Sequence, residues 1–167
     1  TTTVNSQTGA LNNTRGSIAG DNLTITSGAL TNDAGLIQGS KALAINTQGQ
    51  TLTNINSGTA NGIVSGGTLK VQSGNLNNNT GSISSNADTT ISAANITSQG
   101  GSVTSLGNAT ITGTGFDNQG GQIQSIGNTT VNLGGGTFNN SNGLVRTDGN
   151  TTINANTVNN SNTNGTD

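Results

Sequence analysis

Aliphatic residues return about every 20 positions along this chain, and that recurrence leaves few shapes open to it. Val4, Ile25, Ile45, Val71, Ile91, Ile111, Val131 and Ile153 follow one another at steps of 21, 20, 26, 20, 20, 20 and 22. Two further columns run beside it. One is Leu11, Leu30, Leu52, Leu76, Ile96, Phe116, Phe138 and Val158; the other is Ile18, Ile37, Val64, Ile83, Val103, Ile123 and Val145. A fixed period of this length marks a solenoid, in which a repeat buries its apolar face only against its neighbours. Three columns per repeat predict three short strands per turn. The expectation is an all-β parallel β-helix, one segment of about eight turns over residues 1–167.

Composition alone points elsewhere. Hydrophobic residues are 27% of the chain and charged residues 6%, and such a polar tract rich in Asn, Thr, Ser and Gly could pass for a disordered or prion-like segment. Disorder gives no reason to hold Ile, Leu and Val in register through eight repeats. It also usually accompanies high net charge, whereas this chain carries −2. The periodicity decides for a folded solenoid.

The grammar within a turn is regular. Thr90-Ile91-Ser92, Thr110-Ile111-Thr112 and Thr152-Ile153-Asn154 alternate polar with apolar, as a strand with one buried face should. Gly-x-aliphatic marks the third strand at Gly16-Ser17-Ile18, Gly35-Leu36-Ile37, Gly81-Ser82-Ile83, Gly101-Ser102-Val103, Gly121-Gln122-Ile123 and Gly143-Leu144-Val145. Glycine there suits a sharp corner, through positive φ or close backbone approach. Proline is absent, as central strands that donate on both sides require.

Two residues past the second aliphatic column lies a polar one: Asn13, Asn32, Asn54, Asn78, Ser98, Asn118, Asn140 and Asn160. Identical amides about 4.8 Å apart can bond up and down a stack. An exposed row for a ligand would explain the column too, but a buried ladder must be satisfied at every turn and so accounts better for its uniformity.

Insertions interrupt the period. The usual step of 7 from the second column to the third becomes 12 between Leu52 and Val64, so the segment 53–62 is expected to bulge from the shaft. Shorter extensions follow Val4, Ile45 and Val131. Loops on a rigid scaffold are where binding tends to reside. The candidate ligand contacts are Asn54, Asn56, Ser57, Thr59 and Asn61, although a neutral insertion is the simpler reading.

Several functions are disfavoured. Without Cys or His there is no thiolate or imidazole for catalysis or metal binding, and no catalytic residue, metal or cofactor is expected. Glutamate is absent, and Asp21, Asp33, Asp88, Asp117, Asp148 and Asp167 share no column on adjacent turns. Glycoside cleavage needs two carboxylates about 5–10 Å apart, so a β-helical hydrolase is not expected. The basic residues Arg15, Lys41, Lys70 and Arg146 form no stripe, against a nucleic-acid partner. No apolar run approaches membrane-spanning length. The pattern begins and ends without caps, as in a piece of a longer chain.

At the level of whole segments the chain resembles a known family. Phe116-Asp117-Asn118-Gln119-Gly120-Gly121-Gln122-Ile123-Gln124-Ser125, followed by Gly127-Asn128-Thr129-Thr130-Val131, is similar to the haemagglutinin repeats of filamentous haemagglutinins. The same grammar recurs at Leu76-Asn77-Asn78-Asn79-Thr80-Gly81-Ser82-Ile83-Ser84-Ser85 and from Leu11 to Ile25. The resemblance implies a right-handed parallel β-helix, the hand general for parallel crossovers. It implies two-partner secretion in a Gram-negative bacterium, through a dedicated outer-membrane transporter, to the medium or the outer cell surface. The implied role is a shaft or adhesive segment of an adhesin or a contact-dependent growth inhibition protein, with a cell-surface receptor or glycan as partner. Absence of Cys suits a route that threads an unfolded chain out of an oxidising compartment.

The alternative from another class is an ice- or crystal-binding solenoid, which needs flat ranks of Thr-x-Thr. One rank reads Thr3, Thr24, Ala44, Lys70, Thr90, Thr110, Thr130 and Thr152. Its companion, Asn5, Thr26, Asn46, Gln72, Ser92, Thr112, Asn132 and Asn154, is much less regular, and Lys70 places a hydrated charge in the lattice.

Overall fold

The computed structural model describes residues 1–162. Its strands pair in parallel from turn to turn, and together they build a β-solenoid of about eight turns, each of roughly 20 residues. The first column stacks as expected: Val4 on Ile25, Ile25 on Ile45, Ile45 on Val71, then Ile91, Ile111, Val131 and Ile153. The second runs unbroken from Leu11 to Val158. Phe116 and Phe138 meet within it edge to face, ring centroids 5.4 Å apart at 61°, and both are buried.

One member of the third column differs from expectation. Ile63, not Val64, pairs with Ile37 and Ile83, and it is fully buried. Val64 lies opposite Gln38 and Ser84 and is half-buried. In the neighbouring turns one residue separates the corner glycine from the aliphatic. Here Gly62 itself occupies the register position of Leu36, so the aliphatic follows it directly. The inserted segment is shorter than the spacing to Val64 implies.

The corner glycines also need a different explanation. Positive φ belongs to the residue before each of them: Arg15 (54°), Ala34 (49°), Thr80 (53°), Gly100 (60°), Gly120 (63°) and Asn142 (53°), with Asn56 (54°) and Asn162 (56°) completing the column. The glycines themselves are required by close approach. A Cβ on Gly121 would lie 2.6 Å from Asn118 Oδ1 and 2.2 Å from the Ser98 carbonyl oxygen. The side chain three residues earlier folds over the glycine, so the asparagine column and the Gly-x-aliphatic motif are one device.

A fourth inward column escapes a search for aliphatic repeats, because its chemistry changes along the shaft. Leu23, Leu43 and Leu69 give way to Thr89, Ala109 and Thr129, all buried and in register. Where leucine fills this corner in the earliest turns, the facing residue is Gly20 or Gly39, and the chain runs through the corner as one strand, Ser17–Thr26 and Leu36–Asn46. From Ser65 to Ser125 a buried serine faces it and the strand breaks. The serine hydroxyl then caps the turn it leaves, as Ser65 Oγ donates to the Thr68 carbonyl at 2.8 Å and Ser105 Oγ to that of Asn108 at 3.0 Å. Those unbroken strands join two of the three stacks into a 13-stranded sheet, while the second column's strands form a separate sheet of eight.

Candidate functional site

The asparagine column lies inside the shaft. Asn13 Nδ2 donates to Asn32 Oδ1 at 2.7 Å, Asn32 to Asn54 at 2.8 Å, and Asn54 to Asn78 at 2.7 Å. Asn78 Nδ2 then donates to Ser98 Oγ at 3.0 Å. Beyond the serine, Asn118 donates to Asn140 and Asn140 to Asn160, each at 2.7 Å. Every donation points toward the carboxy-terminal neighbour. The second amide hydrogen is used as well, Asn54 Nδ2 reaching the Ser82 carbonyl at 2.9 Å and Asn78 Nδ2 that of Ser102 at 3.1 Å. Apart from Asn118 Oδ1, which is buried without a partner, these groups are spent on one another and on the backbone.

The five loop candidates are therefore not equivalent. Asn54 is a member of the ladder and fully buried, with no face left for a ligand. Ser57 is 1% exposed and takes the position that glycine holds in other turns; its Oγ accepts the Ser82 N–H at 3.0 Å. Asn61 is half-buried and donates from Nδ2 to the Ala34 carbonyl at 3.1 Å. Asn56 is exposed but tied to the shaft, through Asp33 Oδ1 at 2.8 Å and through Thr80. Only Thr59, between Gly58 and Ala60, stands clear on an exposed tip. The protrusion amounts to residues 58–61, a small polar knuckle without an aromatic platform.

A second ladder, on the outside, was not anticipated. Asp88 Oδ1 accepts the backbone N–H of Asn108 at 2.7 Å, Asn108 Oδ1 that of Asn128 at 2.9 Å, and Asn128 Oδ1 that of Asn150 at 2.8 Å. Its signal in the sequence was the Asn-x-Thr triplets at Asn108, Asn128 and Asn150. Asn108 and Asn128 each secure the corner turn that precedes the next threonine-bearing strand.

The remaining charges are dispersed over the surface. Asp33 lies opposite Ile55, and Asp117 lies between Thr97 and Asn139, so neither has a carboxylate as its register partner. Asp167 lies outside the described residues. Asp21 accepts from Ser40 Oγ at 2.6 Å and pairs with Lys41 at 3.1 Å, which together hold its carboxyl below the ordinary value. Both ends of that ion pair are well solvated, so it adds little to stability. Among the described residues no group of three acidic, His or Cys side chains could hold a metal, and no helix is long and apolar enough to cross a membrane.

The threonine rank is in register as well, Thr90 beside Thr110, Thr110 beside Thr130 and Thr130 beside Thr152. Ala44 and Lys70 interrupt it between Thr24 and Thr90.

Against this geometry stand the comparisons with known proteins. A family model described as the haemagglutinin repeat matches residues 1–56, 50–100, 64–132 and 124–167, which together span the chain. No curated protein and no solved structure matches it significantly.

Proposed function

The chain belongs to the haemagglutinin repeat family, and from that membership we propose that it is a length of shaft in a secreted or surface-exposed bacterial exoprotein. The observation that carries the reading is the unbroken parallel register of its columns, from Val4 to Ile153 and from Leu11 to Val158. Such a stack advances about 4.8 Å per turn, so eight turns extend roughly 40 Å. The outward positions of its strands are mainly Thr, Asn, Ser and Gln, a covering that hydrates well. We further propose export through a dedicated outer-membrane transporter of a Gram-negative cell, in an adhesin or a contact-dependent inhibition protein. The absence of cysteine is consistent with that route.

Any contact with a cell-surface receptor or glycan belongs on the knuckle 58–61, with Asn56 beside it. One such site would be weak, and useful adhesion would come from many copies acting together. Two measurements test the proposal. Antibody raised against this chain should label intact producing cells; labelling only after permeabilisation would sink the surface assignment. Removing residues 58–61 should leave the β-sheet circular dichroism spectrum unchanged, and a loss of cell binding would place the contact there. Undiminished binding would make the segment a spacer.

A further inference from the structure

We propose that the solenoid carries a built-in parting seam between the turn of Ser98 and the turn of Asn118, at which it opens before it opens at the seams on either side. The ladder breaks there. Ser98 Oγ accepts from Asn78 but passes no bond onward, and Asn118 Oδ1 is buried with no hydrogen-bond partner. A buried acceptor left unmade is costly, and closing the seam imposes that cost.

The core is also thinner here than in the turns before it. The turns of Asn32, Asn54 and Asn78 each bury four large aliphatic side chains, for example Leu69, Val71, Leu76 and Ile83. The Ser98 turn buries Ile91, Ile96 and Val103, with Thr89, Ala93 and Ser105 in the other inward places. Less apolar area is withdrawn from water, so less free energy resists separation. In a stack held by nearest-neighbour interfaces, the weakest internal interface sets where the array divides. Exposed side-chain bonds such as Gln99 Nε2 to Asp117 Oδ2, at 2.6 Å, cross the seam but lie in water, where they add little.

The consequence is a defined yield point in an otherwise uniform rod. Opening it frees one edge of each strand stack and uncovers the Phe116 ring, without unravelling either half.

Amide hydrogen exchange resolved by NMR tests this, because separate sets of N–H groups report on each seam. Ala93, Ser98, Gly100 and Gln122 donate across the proposed one, to Thr112, Asp117, Gln119 and Gly101. Ser73, Asn78, Thr80 and Ser102 donate across the seam before it, and Gly113, Asn118, Gly120 and Leu144 across the seam after it. The first set should exchange about tenfold faster than the set after it, the ratio implied by one unmade buried hydrogen bond. It should also exchange faster than the set before it, whose turn of Asn78 holds the buried, unpartnered Ser73 Oγ but a fuller core. Fraying from an end cannot produce that order, since it would open one flanking seam first.

Ser98→Asn should slow the first set by a similar factor and leave the set before it unchanged. The new amide has room, because Gly101 lies beneath position 98 as Gly81 lies beneath Asn78 and Gly121 beneath Asn118. Exchange that rises steadily toward one end in the unmodified chain would overturn the proposal, whatever the variant does.

Discussion

Ser57 stands where other turns carry glycine, and its hydroxyl oxygen receives the backbone N–H of Ser82 at 3.0 Å. In regular turns the glycine's own carbonyl takes that N–H, as Gly81 does for Ser102 and Gly101 for Gln122, both at 2.9 Å. The serine thus splices residues 58–61 into the stack without leaving a hole in the hydrogen bonding. Ser57→Ala should cost about 1–3 kcal/mol, because the Ser82 N–H loses its acceptor in a half-buried place. Thermal denaturation measures it, and an unchanged midpoint would mean that the splice does not depend on the hydroxyl.

Adjacent glycines at one corner should respond very differently to the same substitution. Gly120 has φ +63° and nothing closer than 4.0 Å to an added Cβ, so Gly120→Ala should cost only the left-handed strain, about 1 kcal/mol. Gly121→Ala would drive its Cβ into the Ser98 carbonyl and the Asn118 amide, and should cost about 3 kcal/mol or more. Equal losses of stability would contradict the assignment of one glycine to conformation and the other to proximity.

Ile111 is fully buried between Ile91 and Val131, while Thr112 beside it is exposed. Ile111→Asp should remove the cooperative unfolding transition of the neighbouring turns, since an unpaired buried charge is among the costliest single changes. Thr112→Lys should shift stability by no more than about 0.5 kcal/mol. Comparable melting curves for the two variants would refute the register.

The architecture was legible because three of its inward columns are aliphatic in nearly every turn. A repeat in hydrophobicity is the one signal that polar composition cannot counterfeit. The fourth column was not, because leucine at 23, 43 and 69 and Thr or Ala at 89, 109 and 129 share a place without sharing a chemistry. The place of Ile63 in the third column was hidden for a similar reason: it and Val64 are adjacent aliphatics that both fit the spacing, and only the pairing of Gly62 with Leu36 shows which is inside. The loop candidates came from residue type, and type does not reveal that Asn54 bonds to Asn32 and Asn78. Spacing could have excluded it, since Asn54 already held a place in the ladder.

The threonine rank invites a direct measurement. Thr90, Thr110, Thr130 and Thr152 are aligned, but Lys70 pairs beside Thr90 and the companion rank includes Gln72, Asn132 and Asn154. A surface that orders water into a crystal face should not carry these interruptions. No thermal hysteresis is expected at micromolar protein; clear activity would instead make the flat face the functional one.

The internal amides all give toward the carboxy terminus, and those that receive from another amide receive from the amino-terminal side. The shaft is therefore not symmetrical about its middle, even where its outline is. Each asparagine-bearing turn offers an acceptor upward and a donor downward, like a plug and socket of fixed gender. Turning a block of repeats end for end would bring donor against donor at one joint and acceptor against acceptor at the other. Lengthening such a rod by duplicating its repeats keeps the sense of every joint, whereas inversion breaks two. Tandem copying is the form of growth that this interior permits.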